Sequence, residues 1–356
     1  MRTNKIKIIL YLCVASVYCL NQVAYAQLID TKLNSDFRID RKPASSVSKW
    51  TGLFGEYQLG NDTLLIREKL GNLQVIFNPD TSLDEYNLVE ISKDAFKLEA
   101  HDSYSNITFK RDEKLQGLEI HLDNKIYPRN HIEPQNGETY KVELDKPIED
   151  YVKEALLAEV PVEDGEFLPS DLVDVTKYID HVKLDVRYAT TNNFLGVATY
   201  SQAKTFLQRP AVMAIANANK KLNELGYGLL MHDGYRPWYV TKIFWEATDG
   251  FERDFVANPA SGSRHNRGCA IDLTLYELST GKVIKMVGTY DEMSQRSYPD
   301  YKGGSSLERW HRDLLRSVME ENGFRVNSLE WWHFDFKGWE KYLLLNQKFE
   351  ELSLKE

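Results

Sequence analysis

At 356 residues the chain is long enough for two folded units, and 42% apolar with 12% aromatic residues is ample for packed cores. A formal charge of −9, with no basic stripe, RNA-binding motif or zinc-finger spacing, argues against nucleic acid as a partner.

Residues 1–26 read as a signal peptide. Arg2, Lys5 and Lys7 form a basic start, Ile8 to Leu20 a short apolar run, and Ala24-Tyr25-Ala26 a small-x-small cleavage pattern. The run is short for a membrane span. An uncleaved anchor is the alternative; a lipid anchor at Cys19 is disfavoured because Ser16-Val17-Tyr18 lacks the small residues that precede a lipidated cysteine. Cleavage would remove three positive charges, taking the formal charge from −9 to −12, and would remove Cys13 and Cys19. Cys269 alone would remain, so no internal disulfide could form. The expectation is a periplasmic or secreted protein with no transmembrane span in its mature form, held by its core and any metal it binds.

Residues 27–136 read as a small antiparallel β-domain. Short, partly alternating runs at Thr63–Arg67, Leu73–Phe77, Ala95–Leu98, Asn106–Phe109 and Gly117–His121 are separated by Gly, Asn and Asp clusters at roughly ten-residue spacing. The Gly55-Glu56-Tyr57 opening and the hairpin from Phe109 to Leu118 resemble small β-domains appended to exported bacterial hydrolases. His101, His121 and His131 have no ligand spacing and read as surface or strand histidines. Residues 137–170 read as a connector, with a short acidic helix at about Ile148–Glu159 between Pro147 and Pro161. The catalytic segment, residues 171–356, is mixed. A helix over Arg209–Leu225 leads to a strand near Gly228–His232, and a second helix follows Pro237. Ala270–Leu275 is a strand, Leu307–Asn322 a periodic helix closed by Gly323, and Leu329–Phe336 a strand. The fold class is α+β.

Two stretches carry the chemistry. Ser263 to Asp272 and Glu330 to His333 together supply two imidazoles, an aspartate and a spare glutamate. A catalytic zinc site needs three protein ligands, an open position for water and a general base. Strand alternation puts Asp272 on a face with Ala270 and Thr274, and Cys269 on the opposite, core-facing side with Ile271 and Leu273. Cys269 therefore reads as a buried small hydrophobe. Glu330 and His333, three apart, serve one site only if a bulge intervenes or Glu330 sits in the turn entering the strand. Arg236, in Asp233-Gly-Tyr-Arg-Pro237, could stabilise the oxyanion that amide hydrolysis builds. Asp233 either orients that arginine or is an ordinary turn aspartate.

These motifs, with Asp185 to Phe194, resemble the D-alanyl-D-alanine dipeptidases of the VanX type over roughly Asp171 to Lys341. The resemblance implies a compact zinc peptidase fold, with one Zn2+ per chain held by His265, Asp272 and His333. It implies Glu330 as general base and Arg236 as transition-state stabiliser. Asp291, in Gly288-Thr289-Tyr290-Asp291, and Ser263 would hold the free amino group of the dipeptide, with Asp233 grouped beside them at the substrate. Tyr290 stands where the family usually has Phe, and Cys269 where serine is common. The expected function is hydrolysis of D-Ala-D-Ala or a similar short dipeptide, with peptidoglycan as a candidate contact for the β-domain. The rivals are a D,D-carboxypeptidase or endopeptidase acting on peptidoglycan stem peptides and a catalytically silent wall-binding protein.

Overall fold

From Gly55 to Pro128 the backbone turns back on itself seven times, because turn-forming residues interrupt every short apolar run. The strands are β1 (Gly55–Leu59), β2 (Asp62–Lys69), β3 (Asn72–Phe77), β4 (Glu85–Ser92), β5 (Ala95–Leu98), β6 (Ile107–Arg111), β7 (Gly117–Leu122) and β8 (Lys125–Pro128). Each pairs antiparallel with the next. An antiparallel bridge between Tyr57 and Arg129, and a bond from Asn130 N to Glu56 O at 2.8 Å, bring the last strand to the first. The sheet thus rolls into a nearly closed barrel, which leaves few strand edges unpaired. The computed structural model describes residues 37–82, 84–99, 106–130 and 139–353. The expected signal peptide with Cys13 and Cys19, and also His101 and His131, lie outside the described residues.

Alternation decides what fills the barrel. Leu64 and Ile66 point inward with Val75, Phe96, Ile107, Phe109 and Ile120, and the rings of Phe96 and Phe109 meet edge to face at 5.6 Å. Leu65 and Ile76 point outward into the core of the second unit. His121 is exposed on β7 and pairs with Glu119 at 2.9 Å, as a surface histidine.

The second unit is built on a five-stranded sheet. Its strands, in spatial order, are β10 (Lys183–Leu184), β12 (Tyr227–Asp233), β13 (Ala270–Glu277), β15 (His333–Phe336) and β14 (Phe324–Val326). Only the β10–β12 pair is parallel. A short antiparallel pair, β9 (Leu172–Asp174) and β11 (Phe206–Gln208), stands beside it. Helices α1 (Ile148–Leu157), α2 (Arg209–Glu224), α3 (Trp238–Glu246) and α4 (Ser306–Glu321) complete the unit. α2 starts at a favourable Pro210 and buries Val212, Ile215 and Leu222. α4 opens with a reciprocal capping box between Ser305 and Glu308.

Three features differ from the sequence expectation. β13 is central and buried on both faces, so the side carrying Asp272 is as covered as the side carrying Ile271. The strand expected over Leu329–Phe336 begins only at His333, and the residues before it form a turn. The segment read as a connector is more than a tether. Val142, Tyr151 and Ala155 lie in the core of the second unit, and Glu163 pairs with Arg267 and accepts the Leu344 N–H at 2.8 Å.

The two units are stitched together at the β2–β3 hairpin. The Glu68 carboxylate accepts the N–H of Ser306, the first residue of α4, at 2.7 Å and that of Gly71 at 2.6 Å. Arg309 donates to the Glu68 carbonyl at 2.7 Å, and Glu68 N donates to Gly304 O at 3.1 Å. A carboxylate at a helix N-terminus satisfies an orphan donor and complements the helix dipole.

Candidate active site

Strand register places the charged residues in a row. Asp272 on β13 faces His333 on β15, and a bulge in β12 between Met231 and Asp233 brings Asp233 opposite Asp272 on the other side. Directly opposed residues project to the same face, so three strands present Asp233, Asp272 and His333 together. His265 enters from the loop before β13, in a 3-10 turn over His265–Arg267 closed by Gly268 at φ 66°. That left-handed backbone favours glycine, and a Cβ there would also have to displace Leu172 Cδ2, 2.3 Å away.

Hydrogen bonds fix which nitrogen each imidazole offers. His265 Nδ1 donates to the Gly234 carbonyl at 2.7 Å, and His333 Nε2 donates to Asp335 Oδ1 at 2.9 Å. This leaves His265 Nε2 and His333 Nδ1 with lone pairs, facing each other at 3.1 Å. Asp272 Oδ1 lies 3.4 Å from the first and 3.2 Å from the second. A tetrahedral metal bound at about 2.0–2.1 Å sets its ligand atoms roughly 3.3 Å apart. Asp272 Oδ1 is also buried without a hydrogen-bond partner. Donor types, spacing and the unpartnered oxygen all fit a divalent metal, and these residues form a candidate metal site.

Burial alone would raise the Asp272 carboxyl, but the neighbouring His265 and His333 hold it well below the usual carboxylate range. Burial would lower His333, yet Asp335 and Asp272 lift it well above an ordinary imidazole. Asp335 thus acts as the outer partner that orients a ligating histidine.

The remaining residues named from sequence surround this triad. Glu330 sits in the turn entering β15, with Oε2 3.4 Å from His333 Nδ1 and accepting from Asn327 Nδ2 at 3.0 Å. The turn removes the face problem that a continuous strand would have posed. Burial pushes the Glu330 carboxyl up to about 7, close to the value a general base needs at neutral pH. Arg236 follows β12, donates Nε to Asp233 Oδ2 at 2.9 Å and stacks over the Phe244 ring at 4.7 Å. Asp233 itself does not line the cleft. Its oxygens are taken by Arg236, by the Tyr200 hydroxyl at 2.7 Å and by Gly234 N at 2.9 Å, so it sits beneath the arginine and orients it.

Ser263 and Asp291 both line the cleft, which measures about 250 Å³. The Ser263 hydroxyl accepts the His265 N–H at 3.2 Å. Asp291 adopts the left-handed conformation at φ 61°; its Oδ1 accepts from the Tyr188 hydroxyl at 3.0 Å and its Oδ2 is buried without a partner. Burial, reinforced by Asp272, pushes its carboxyl well above the ordinary range. Cys269 is buried, bears no metal-facing contact, and burial pushes its thiol up to about 12.

Sequence reasoning missed four supporting residues. Tyr188 holds Asp291, Tyr290 donates its hydroxyl to Asp272 Oδ2 at 3.2 Å, Asn327 holds Glu330, and Asp335 holds His333. Only Asp335 had a local signal, two residues along the strand from His333 and therefore on its side.

A family model described as D-Ala-D-Ala dipeptidase, of the peptidase M15 family, matches residues 169–354. The chain belongs to that family. It is therefore a peptidase M15 metallopeptidase with its candidate metal ligands at His265, Asp272 and His333. A D-alanyl-D-alanine dipeptidase of Escherichia coli (strain K12) is 32% identical over 180 residues, covering 51% of this chain and 92% of that protein. One from Enterococcus faecium is 36% identical over 183 residues, covering 43% and 85%. A solved structure of the LD-carboxypeptidase LdcB aligns with 56% of this chain at 18% identity and a TM-score of 0.29, too low to bear on fold or chemistry. Among the described residues no helix is long and apolar enough to cross a membrane.

Proposed function

We propose that this peptidase hydrolyses D-Ala-D-Ala or a similarly short dipeptide, using one zinc ion held by His265, Asp272 and His333. The observation that carries the reading is the unpartnered carboxylate oxygen of Asp291, buried in the same small cleft as the ligand triad. A substrate ammonium would satisfy it, and a cleft below the roughly 300–1,000 Å³ of drug-sized pockets suits a dipeptide.

When bound, the metal supplies Lewis acidity toward the scissile carbonyl and toward a water molecule. Glu330 takes a proton from the attacking water and returns it to the departing amine, so the carboxylate is restored after each turnover. Arg236, kept charged and oriented by Asp233, faces the negative charge that develops on the carbonyl oxygen. Asp291, braced by Tyr188, pairs with the free N-terminus, and Ser263 lies beside the same cleft. A requirement for that ammonium would restrict the enzyme to short, unblocked peptides.

Release of D-alanine from D-Ala-D-Ala by the zinc-loaded protein, compared with the N-acetylated dipeptide, tests this directly. Cleavage of the free dipeptide alone, lost in Glu330→Gln, supports the reading. Cleavage of the blocked dipeptide points to a carboxypeptidase and removes Asp291 from its role; turnover of neither sends the search to other dipeptides. The exported location rests on the basic, apolar and Ala24-Tyr25-Ala26 pattern of the first 26 residues. A mature N-terminus at Gln27 would support it, and an intact Met1 in the cytoplasmic fraction would overturn it.

A further inference from the structure

A second cavity, of about 510 Å³, lies between the barrel and the catalytic unit. Phe54, Gly55 and Arg129 form its barrel wall, and Arg187, Arg296 and Trp331 stand among the residues opposite. Among the described residues five buried side-chain N–H groups have no hydrogen-bond partner, and three of them belong to residues lining this one cavity: Arg129 Nε, Arg296 Nε and Trp331 Nε1. Buried donors are normally satisfied, so three around one space point to an acceptor.

The carboxylates already on the wall are committed elsewhere. Asp185 is held by Arg187 at 3.2 Å and by His232 at 3.4 Å, while Glu308 pairs with Lys285 at 2.8 Å and caps α4. Arg129 spends its terminal nitrogens on three barrel carbonyls, of Gly52, Phe54 and Gly117. Room for its guanidinium comes from Gly55 at φ 147°, where a Cβ would meet Nε and Nη2 at 3.0 Å. Arg296 lies 3.0 Å from the Glu292 carboxylate, but its Nε–H is not directed at it. Of the cations on the wall, Arg187, Lys285 and Arg296 each lie against one carboxylate, of Asp185, Glu308 and Glu292, while the hydrogen bonds of Arg129 go to backbone carbonyls alone. Burial, with a smaller contribution from the nearby Arg296 charge, pushes the Arg129 guanidinium down.

We propose that this cavity binds a small carboxylate-bearing ligand at a site separate from the hydrolytic cleft. A planar carboxylate takes paired N–H bonds from guanidinium groups, the indole N–H adds a neutral donor, and Phe54, Leu230 and Val287 offer apolar wall to the rest of the molecule. Tyr290 links the two places: its ring lines this cavity and stacks on His232 at 4.3 Å, and its hydroxyl reaches Asp272. The occupant would thus sit one side chain away from a metal ligand. Nothing in this inference depends on which peptide the cleft hydrolyses.

Calorimetric titration of the metal-loaded full chain with N-acetyl-D-alanine tests the site, with inorganic phosphate as the second probe. Arg296→Gln should weaken N-acetyl-D-alanine about tenfold or more, the scale of a hydrogen bond to a charged group. Trp331→Phe, which deletes the N–H and keeps a ring, should weaken it several-fold, while Arg236→Gln, in the hydrolytic cleft, should leave it unchanged. Arg129 is left intact because its loss also unties three barrel carbonyls. Binding that falls only with Arg236→Gln, binding indifferent to Arg296→Gln and Trp331→Phe, or no binding by the folded wild type would each overturn the proposal. Tighter binding of phosphate than of the carboxylate would overturn the ligand class.

Discussion

The barrel and the catalytic sheet are both built from short, mostly antiparallel strands, yet they bury opposite things. Inside the barrel the inward positions are Leu, Ile, Val and Phe, and the fold is held by contact among them. On the site face of the catalytic sheet the same geometry buries Asp233, Asp272, Arg236, Glu330 and two imidazoles. Burying charges is unfavourable unless each is paired or coordinates a metal. One region therefore supplies stability and the other holds groups in states that solvent would not tolerate.

That contrast can be broken most directly at the ligands. Asp272→Ala should leave a protein that retains essentially no metal by elemental analysis and has no measurable peptidase activity; retention of one metal per chain would mean that the site lies elsewhere. Glu330→Gln should lower kcat by about 10²–10⁴-fold while metal content stays at the wild-type level. In the barrel the pattern should invert. Phe96→Ala should cost about 3–5 kcal/mol of unfolding free energy in denaturant titrations, with KM unchanged in the protein that remains folded.

The pH dependence sharpens the same comparison because its two signs differ. With the Glu330 carboxyl pushed up to about 7 from an ordinary 4.5, kcat/KM should rise with pH through about 7 as the base ionises. Between those values the folded state holds a proton that the unfolded state has lost, so this group's contribution to stability falls as pH rises. A melting temperature that climbed with activity across that window would contradict the assignment. The smallest expected effect is at Asp291. Asp291→Asn removes a carboxyl whose ionisation burial disfavours and should raise the melting temperature by on the order of 2–4 °C, while KM for a free dipeptide rises.

What could be read from the chain was local. The spacing of His265 and Asp272 around a strand start, the glycine after the ligand turn, and the helix ending at Gly323 are set by neighbours in sequence. Five of the eight barrel strands follow from alternation; β4, which starts at Glu85, carries Glu90 near its end and is half-exposed or exposed at every position but Leu88, does not. The supporting partners were hidden for a different reason. Tyr188 reaches Asp291 across 103 positions, and Glu68 reaches Ser306 across 238. No window of sequence holds such pairs. Asp233 had been open between two readings, and only the bulge in β12 shows it beneath Arg236 instead of in the cleft.

The Glu68 contact has a practical side for anyone handling the chain. A fragment trimmed to the half that aligns with the dipeptidase relatives would expose the first N–H of α4 to water, and with it the patch that Leu65 and Ile76 cover. Such a fragment should express as a sticky, aggregation-prone piece, and the full-length chain should melt in one calorimetric peak, not two.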